Sequence, residues 1–147
     1  MRQKREAQKY LEQVEKLDAI IENKLIEKQQ WMSVALGITA NMDGERVQSS
    51  GRKSKMADAV DKCIDIDEEI DAQVDELIAV KQEVIKVIEK VESPIEYKVL
   101  HMRYIQYVDL KGIAEHYGKE YGWATTTHGR AITSVQKILD SKNKGEA

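Results

Sequence analysis

The side chains whose types and spacing point most directly to chemistry lie near the C-terminus. One set recurs at spacings of three, four and three, which places side chains on one face of an α-helix: Trp123, Thr126, Arg130 and Thr133. A threonine hydroxyl can bond to a base edge or a phosphate, and an arginine can donate two hydrogen bonds to guanine. We therefore predict that this face is a surface for the major groove of DNA.

We place this helix at about residues 122–140. The residue at which the helix begins determines which threonines face outward. The break before it runs from Gly118 to Trp123, longer than the roughly three or four residues of a helix-turn-helix turn. A shift of a residue or two gives Thr125 and Thr127 the place assigned to Thr126. A second set of side chains is expected to pack inward, namely Ala124, His128, Ala131, Val135 and Ile138.

A shorter helix is predicted before this one, over about residues 109–117. Ala114 is small enough for another helix to cross it closely. Gly118 can adopt the positive φ that a tight turn between two helices needs. The two helices together predict a helix-turn-helix, in which residues near the start of the second helix contact base edges.

A clear helix start precedes this motif at Ser93. Ser93 can cap the helix, Pro94 suits its first position, and Glu96 completes a capping box. Proline also disfavours helical geometry at the residue before it, so a preceding helix must end there. We expect a helix from Pro94 to about Gln106 and a domain boundary at Glu92/Ser93.

Two long periodic segments precede that boundary, over residues 4–33 and 55–91. Each carries an apolar stripe at helical spacing, and one amphipathic helix alone cannot bury such a stripe. We predict that they form an antiparallel, coiled-coil-like hairpin joined by a connection at 37–54, which is rich in glycine and polar residues. The expected fold class is therefore all-α, with a helical hairpin domain at 1–92 and a three-helix domain at 93–147.

Charge is distributed unevenly between the two parts. Residues 1–92 carry 15 Lys and Arg against 20 Asp and Glu, whereas residues 93–147 carry 8 against 6. A less acidic C-terminal part agrees with DNA binding, but its excess of two positive charges is small for a free-standing DNA reader. We therefore expect help from a second copy, bound through the hairpin, or from RNA polymerase.

Several other classes of function find no support in the residue pattern. The three histidines show no ligand spacing, and Cys63 lies on an apolar stripe, where it is expected to be a small buried hydrophobe. The acidic run 65–71 lacks the central glycine of a calcium loop. We find no arrangement of a nucleophile with a base and no phosphate loop, so we expect no enzyme, metal or cofactor. With one cysteine and no apolar run of about 20 residues, we expect a cytoplasmic protein without a membrane contact.

Three segments resemble the promoter-reading region four of sigma factors: 100–105, 113–114 and 128–132. In that domain a leucine-rich helix ends in an Arg-Tyr-like pair, an Ile-Ala pair marks the helix before the turn, and an Arg-Ala pair lies in the recognition helix. The whole chain, including the loop at 47–51, resembles a family from Gram-positive bacteria and their prophages that is akin to the ArpU-type late transcription regulators. The resemblance implies control of transcription in a prophage or mobile element.

We therefore expect a regulator that binds double-stranded promoter DNA through Trp123, Arg130, Thr133 and one or more of the threonines 125–127. It would act as a homodimer through the hairpin or together with RNA polymerase. The alternative is an interaction protein whose acidic hairpin binds a repressor or a polymerase subunit without specific DNA contact. A third interpretation is the recognition subunit of a phage packaging machine, and the order of the sigma-like segments argues against it.

Overall fold

A computed structural model describes residues 5–37 and 49–145, and within these ranges the fold is all-α with no strand, as predicted. In chain order the elements are α1 (Glu6–Ala35), α2 (Ser49–Glu89), α3 (Pro94–Leu100), a π-helical turn (His101–Ile105), α4 (Leu110–His116) and α5 (Tyr121–Asn143). None of the described helices is long and apolar enough to cross a lipid bilayer.

The connection expected at 37–54 is shorter than predicted. It begins as expected, because Gly37 follows α1 with a φ of 73°. Residues 38–48 lie outside the described residues, but α2 begins at Ser49, so the prediction of a non-helical segment up to Ser54 is wrong. A helix that is already formed extends at little cost, since each further residue adds a hydrogen bond. The polar and glycine-containing run at 49–54 therefore joins the helix despite its composition.

Two ion pairs show that α1 and α2 are antiparallel. Lys24 Nζ lies 2.8 Å from Glu69 Oε1, and Lys28 Nζ lies 2.7 Å from Asp67 Oδ1. Residue numbers thus rise along one helix while they fall along the other. Lys24 and Lys28 have raised pKa values, mainly because each ammonium group donates a hydrogen bond to its carboxylate partner.

The described chain divides into two compact units. One, which we call the terminal unit, combines the chain up to Lys16 with the chain from Leu77 onward. The other, which we call the hairpin unit, is Leu17–Glu76. This division does not coincide with the predicted boundary at Glu92/Ser93, because the start of α1 and the last part of α2 share a core with the C-terminal helices.

The core of the terminal unit joins distant parts of the chain. Buried apolar side chains come from α1, from the end of α2, from α3 with the π-helical turn, and from α5: Ala7, Leu11, Val14, Val84, Val87, Ile88, Val91, Leu100, Tyr104, Ala131, Ile132, Val135 and Leu139. Burial of one such large aliphatic side chain contributes about 1.5–3 kcal/mol. This core fixes which face of α5 is buried and therefore which face remains exposed.

Candidate nucleic-acid interface

Ser93 and Pro94 begin α3 as the sequence predicts, and the Glu96 side chain, which was expected to complete a capping box, contacts α5. Ser93 Oγ accepts a hydrogen bond from the Glu96 backbone N–H at 3.3 Å, and Pro94 occupies the first helical turn. The Glu96 carboxylate accepts a hydrogen bond from Ser134 Oγ at 2.8 Å. The first turn of α3 is thereby attached to α5 by a polar contact, in addition to the apolar core that the two helices share.

The end of the predicted helix 94–106 departs from ordinary α geometry. Residues 101–105 form a π-helical turn, closed by a hydrogen bond from the Gln106 N–H to the His101 carbonyl. Tyr107 then has a φ of 65°, which is uncommon for a residue other than glycine. This sharp exit lets α4 begin within a few residues, where Asp109 Oδ1 caps it by accepting from the Gly112 N–H at 2.8 Å.

The turn between α4 and α5 is tighter than the sequence predicts. Gly118 has a φ of 64°, as expected, and its N–H donates to the Glu115 carbonyl at 3.1 Å. The Lys119 N–H donates to the Ala114 carbonyl at 2.8 Å, which completes a Schellman motif. Because α5 begins at Tyr121, the expectation of an unusually long break is wrong.

The outer face of α5 carries three of the predicted contact residues. Thr126, Arg130 and Thr133 are exposed, whereas the opposite side of the helix is buried. Its fully buried residues include Ala124, Ala131 and Val135. The structure thus brings these three polar side chains together on one solvent-facing stripe.

The remaining two threonines are not equivalent to Thr126. Thr127 is only 7% exposed and belongs to the buried side of α5, so its hydroxyl is not presented on the outer face. Thr125 is half-buried, and its hydroxyl donates to the Gly122 carbonyl at 3.0 Å. Of the three consecutive threonines, only Thr126 is exposed.

Trp123 lies at the edge of this face and packs against the turn. Its ring centroid is 5.6 Å from that of Tyr117, and Lys119 Nζ lies 6.0 Å from the Trp123 ring. The indole is half-buried. This environment gives Trp123 a structural contact with the turn and leaves only part of its ring for a ligand.

Two basic residues near the outer face were not among the predicted contacts. Arg5 Nη1 donates to Thr133 Oγ1 at 2.5 Å, a contact between residues 128 positions apart for which the sequence gives no local signal. Lys137 is exposed and lies four residues after Thr133, so helical spacing was sufficient to find it. Both add positive charge near the stripe of Thr126, Arg130 and Thr133.

Two glycines leave the first half of the outer face of α5 with few protruding side chains. A Cβ placed on Gly122 or on Gly129 would meet no atom within 4 Å. Gly122, Thr126, Gly129 and Thr133 follow one another at helical spacing, so small residues line the part of the face that begins the helix. The described structure contains no neighbour that requires the absence of a side chain at Gly129.

Behind the outer face, His128 is held by Tyr104. The Tyr104 hydroxyl lies 2.6 Å from His128 Nε2, and the two rings stack with centroids 5.7 Å apart. Burial lowers the pKa of His128, and Arg103 and Arg5 lower it further while Glu12 opposes them. Burial likewise raises the pKa of Tyr104 well above its usual range. The His128 imidazole and the Tyr104 phenol are therefore both neutral, and they pack against each other behind the exposed face of α5.

No cluster of three or more His, Cys, Asp or Glu residues suited to a metal ion occurs within residues 5–37 and 49–145. The thiol of Cys63 is half-buried in the hairpin unit, 3.9 Å from the Lys28 carbonyl oxygen. The acidic run 65–71 lies inside α2, where two of its carboxylates pair with lysines of α1.

Comparison with known proteins places the chain in one family. No curated protein and no solved structure matches it. A family model described as "Protein of unknown function (DUF1492)" matches residues 38–128, which include all of α2, α3 and α4 and the start of α5 up to His128. Because this match covers more than half of the chain, the protein belongs to the DUF1492 family.

Proposed function

We propose that α4, the turn at Gly118 and α5 form a helix-turn-helix that binds double-stranded DNA, and that the protein regulates transcription from a promoter of a phage or mobile element. The observation that carries the proposal is the outer face of α5, where Thr126, Arg130 and Thr133 are exposed opposite a buried and mostly apolar side. The tight Schellman turn supports it, since helix-turn-helix motifs join their helices by roughly three or four residues.

The distribution of side chains along α5 suits entry into a groove. An α-helix with its side chains is about 10–12 Å wide, and the major groove of DNA is about 12 Å wide. Small residues on the first half of the face keep α5 narrow where it must approach the base edges. In this arrangement Thr126 reads a base or a thymine methyl, and Arg130 donates to guanine.

The C-terminal part has only a small positive charge, so DNA binding is expected to need further contacts from a second protein or a second copy of this chain. The resemblance to region four of sigma factors favours RNA polymerase, which would supply the remaining DNA contacts. The hairpin favours a homodimer, because two readers held together bind two half-sites with a gain from effective concentration. The described part of the hairpin unit exposes large apolar side chains that a second copy would cover: Leu25, Ile26, Trp31, Met32, Leu36, Val60 and Ile64.

The first experiment recovers DNA bound by the protein in cells and measures binding to the enriched duplex in solution. Enrichment at one promoter is expected. The double variant Thr126→Ala, Arg130→Ala should lose most of the binding, because a good bidentate base contact alone contributes about 1–3 kcal/mol. Lys142→Ala, which removes an exposed charge near the end of the same helix, is the matched control. Equal binding by the double variant and the control would exclude the proposed face.

A second candidate function is an interaction protein without specific DNA contact, and the exposed apolar side chains of the hairpin unit favour it. The many exposed carboxylates of α2 fit a basic partner, such as part of a repressor or a polymerase subunit. Under this function no DNA sequence is enriched, and a protein complex forms equally well with the double variant. Light scattering after size-exclusion chromatography tests the dimer separately, since a strict monomer at micromolar concentration excludes it.

A further inference from the structure

The start of α1 is attached to the second half of α5 by several polar contacts. Arg5 Nη1 donates to Thr133 Oγ1, and the Ala7 backbone N–H donates to Gln136 Oε1 at 2.9 Å. Ala7 and Leu11 are fully buried in the core that also contains Val135. Arg5, which directly precedes α1, is therefore held beside α5 by the buried residues of the first turns of α1, although its own side chain is exposed.

The outer face of α5 changes in character along its length. Its first half carries the small residues Gly122, Thr126 and Gly129, whereas its second half carries two basic residues, Arg130 and Lys137, on either side of Thr133. Arg5 adds a second guanidinium at the level of Thr133. One half of the face is thus shaped for close approach, and the other half is shaped to attract anions.

The distance between the two halves corresponds to the geometry of a groove. Thr133 lies seven residues after Thr126, which is about 10 Å at about 1.5 Å per residue. The major groove is about 12 Å wide, so a side chain about 10 Å from a base-reading residue lies near a phosphate backbone that borders the groove. Arg5 and Lys137 lie at that level or one turn beyond it.

We propose that Arg5, together with Lys137, binds the DNA phosphate backbone beside the groove that α5 reads, so that the start of the N-terminal helix is part of the DNA interface. This inference rests on the proposed function. A guanidinium carries five N–H donors, so Arg5 can donate to Thr133 and to a phosphate at the same time. Lysine also serves as a point charge for phosphate.

Two carboxylates limit where the phosphates can lie. The Gln136 amide donates to Glu6 at 3.2 Å and to Asp140 at 3.1 Å, which holds both carboxylates on the flank of α5 beside Gln136. Phosphates are repelled from that flank. The backbone is therefore expected to follow the side of Arg130 and Lys137, and Arg5 reaches it across Thr133.

The test measures how binding to the recovered duplex depends on salt, because each phosphate contact contributes about 0.9 to the slope of log K against log salt. Arg5→Gln and Lys137→Gln are each expected to reduce that slope by about 0.9. Lys142→Gln, with the same loss of charge at an exposed position of α5, should leave the slope unchanged. Arg5→Lys keeps the charge and should keep most of the slope.

The outcomes separate this inference from the proposed function. If the wild-type protein binds no duplex specifically, the proposed function fails. If it binds and the change at Thr126 and Arg130 weakens it, but Arg5→Gln leaves the slope unchanged, only the role of Arg5 is overturned. A purely structural role for Arg5 would lower the thermal midpoint in both Arg5 variants while the slope of each stays that of the wild-type protein. That result would overturn the phosphate contact.

Discussion

Replacement of Gly129 by alanine is expected to stabilise the fold and weaken DNA binding at the same time. A glycine inside a helix costs about 0.5–1 kcal/mol relative to alanine, because its backbone loses more freedom on folding. The added Cβ would meet no atom within 4 Å, so no steric cost offsets this gain. For a chain of this length we expect the thermal midpoint to rise by about 1–4 °C.

The same Gly129→Ala change is expected to weaken DNA binding, because Gly129 lies among the small residues of the outer face of α5. A methyl group at this position would separate the helix from the base edges. Circular dichroism during heating measures the stability, and anisotropy of a labelled duplex measures the affinity. A lower thermal midpoint would refute the open environment of Gly129, and unchanged affinity would refute the close approach of this face to DNA.

Gly118→Ala is the matched control for this reasoning. A Cβ at Gly118 would also meet no atom within 4 Å, but Gly118 has a φ of 64°. Left-handed backbone costs an L-residue about 1–2 kcal/mol, so this alanine should destabilise the fold by about that amount. The same chemical change is thus expected to have opposite effects at two open positions. Equal effects would show that backbone conformation does not decide the outcome.

Three further substitutions test the contacts that hold α4 and α5 in place. Because the pKa of His128 is lowered below 6.5, the unfolded chain takes up the proton first as pH falls. The contribution of His128 to the free energy of unfolding should be complete above pH 6.5 and should be lost as the pH decreases from 6.5 through the lowered pKa. Urea titrations at several pH values measure this dependence. The variant His128→Gln should lack it. Tyr104→Phe leaves His128 Nε2 without its hydroxyl partner and should cost about 1–3 kcal/mol in the same assay. Asp109→Ala removes the cap of α4 and should cost about 0.5–2 kcal/mol, whereas Asp109→Asn, which keeps a capping oxygen, should cost less.

Local features of this fold could be predicted from the sequence because their causes are local. Ser93 and Pro94 specify a helix start through one side-chain oxygen and one fixed φ, and Gly118 specifies a turn through its tolerance of positive φ. The helical spacing of Arg130 and Thr133 places both side chains on one face of α5. Each of these depends on residues within a few positions of one another.

Features that depend on distant residues could not be predicted in the same way. The contact of Arg5 with Thr133 and the burial of Ala7 beside α5 arise only when the start of α1 packs against α5. The choice of Thr126 over Thr127 as the exposed threonine depends on where α5 begins, and the Schellman turn sets that position. The start of α2 at Ser49 likewise reflects extension of a long helix and not the composition of residues 49–54.

The contact between the Ala7 N–H and Gln136 has a consequence for synthesis of the chain. The two residues are 129 positions apart, so the core of the terminal unit cannot close until α5 has left the ribosome. Residues 17–76, by contrast, are complete much earlier, and their helices can pair while α5 is still being made. The apolar face of the first turns of α1 therefore stays exposed to water until α5 has been made, and the exposed stripe of α5 is positioned only when α5 packs against the start of α1.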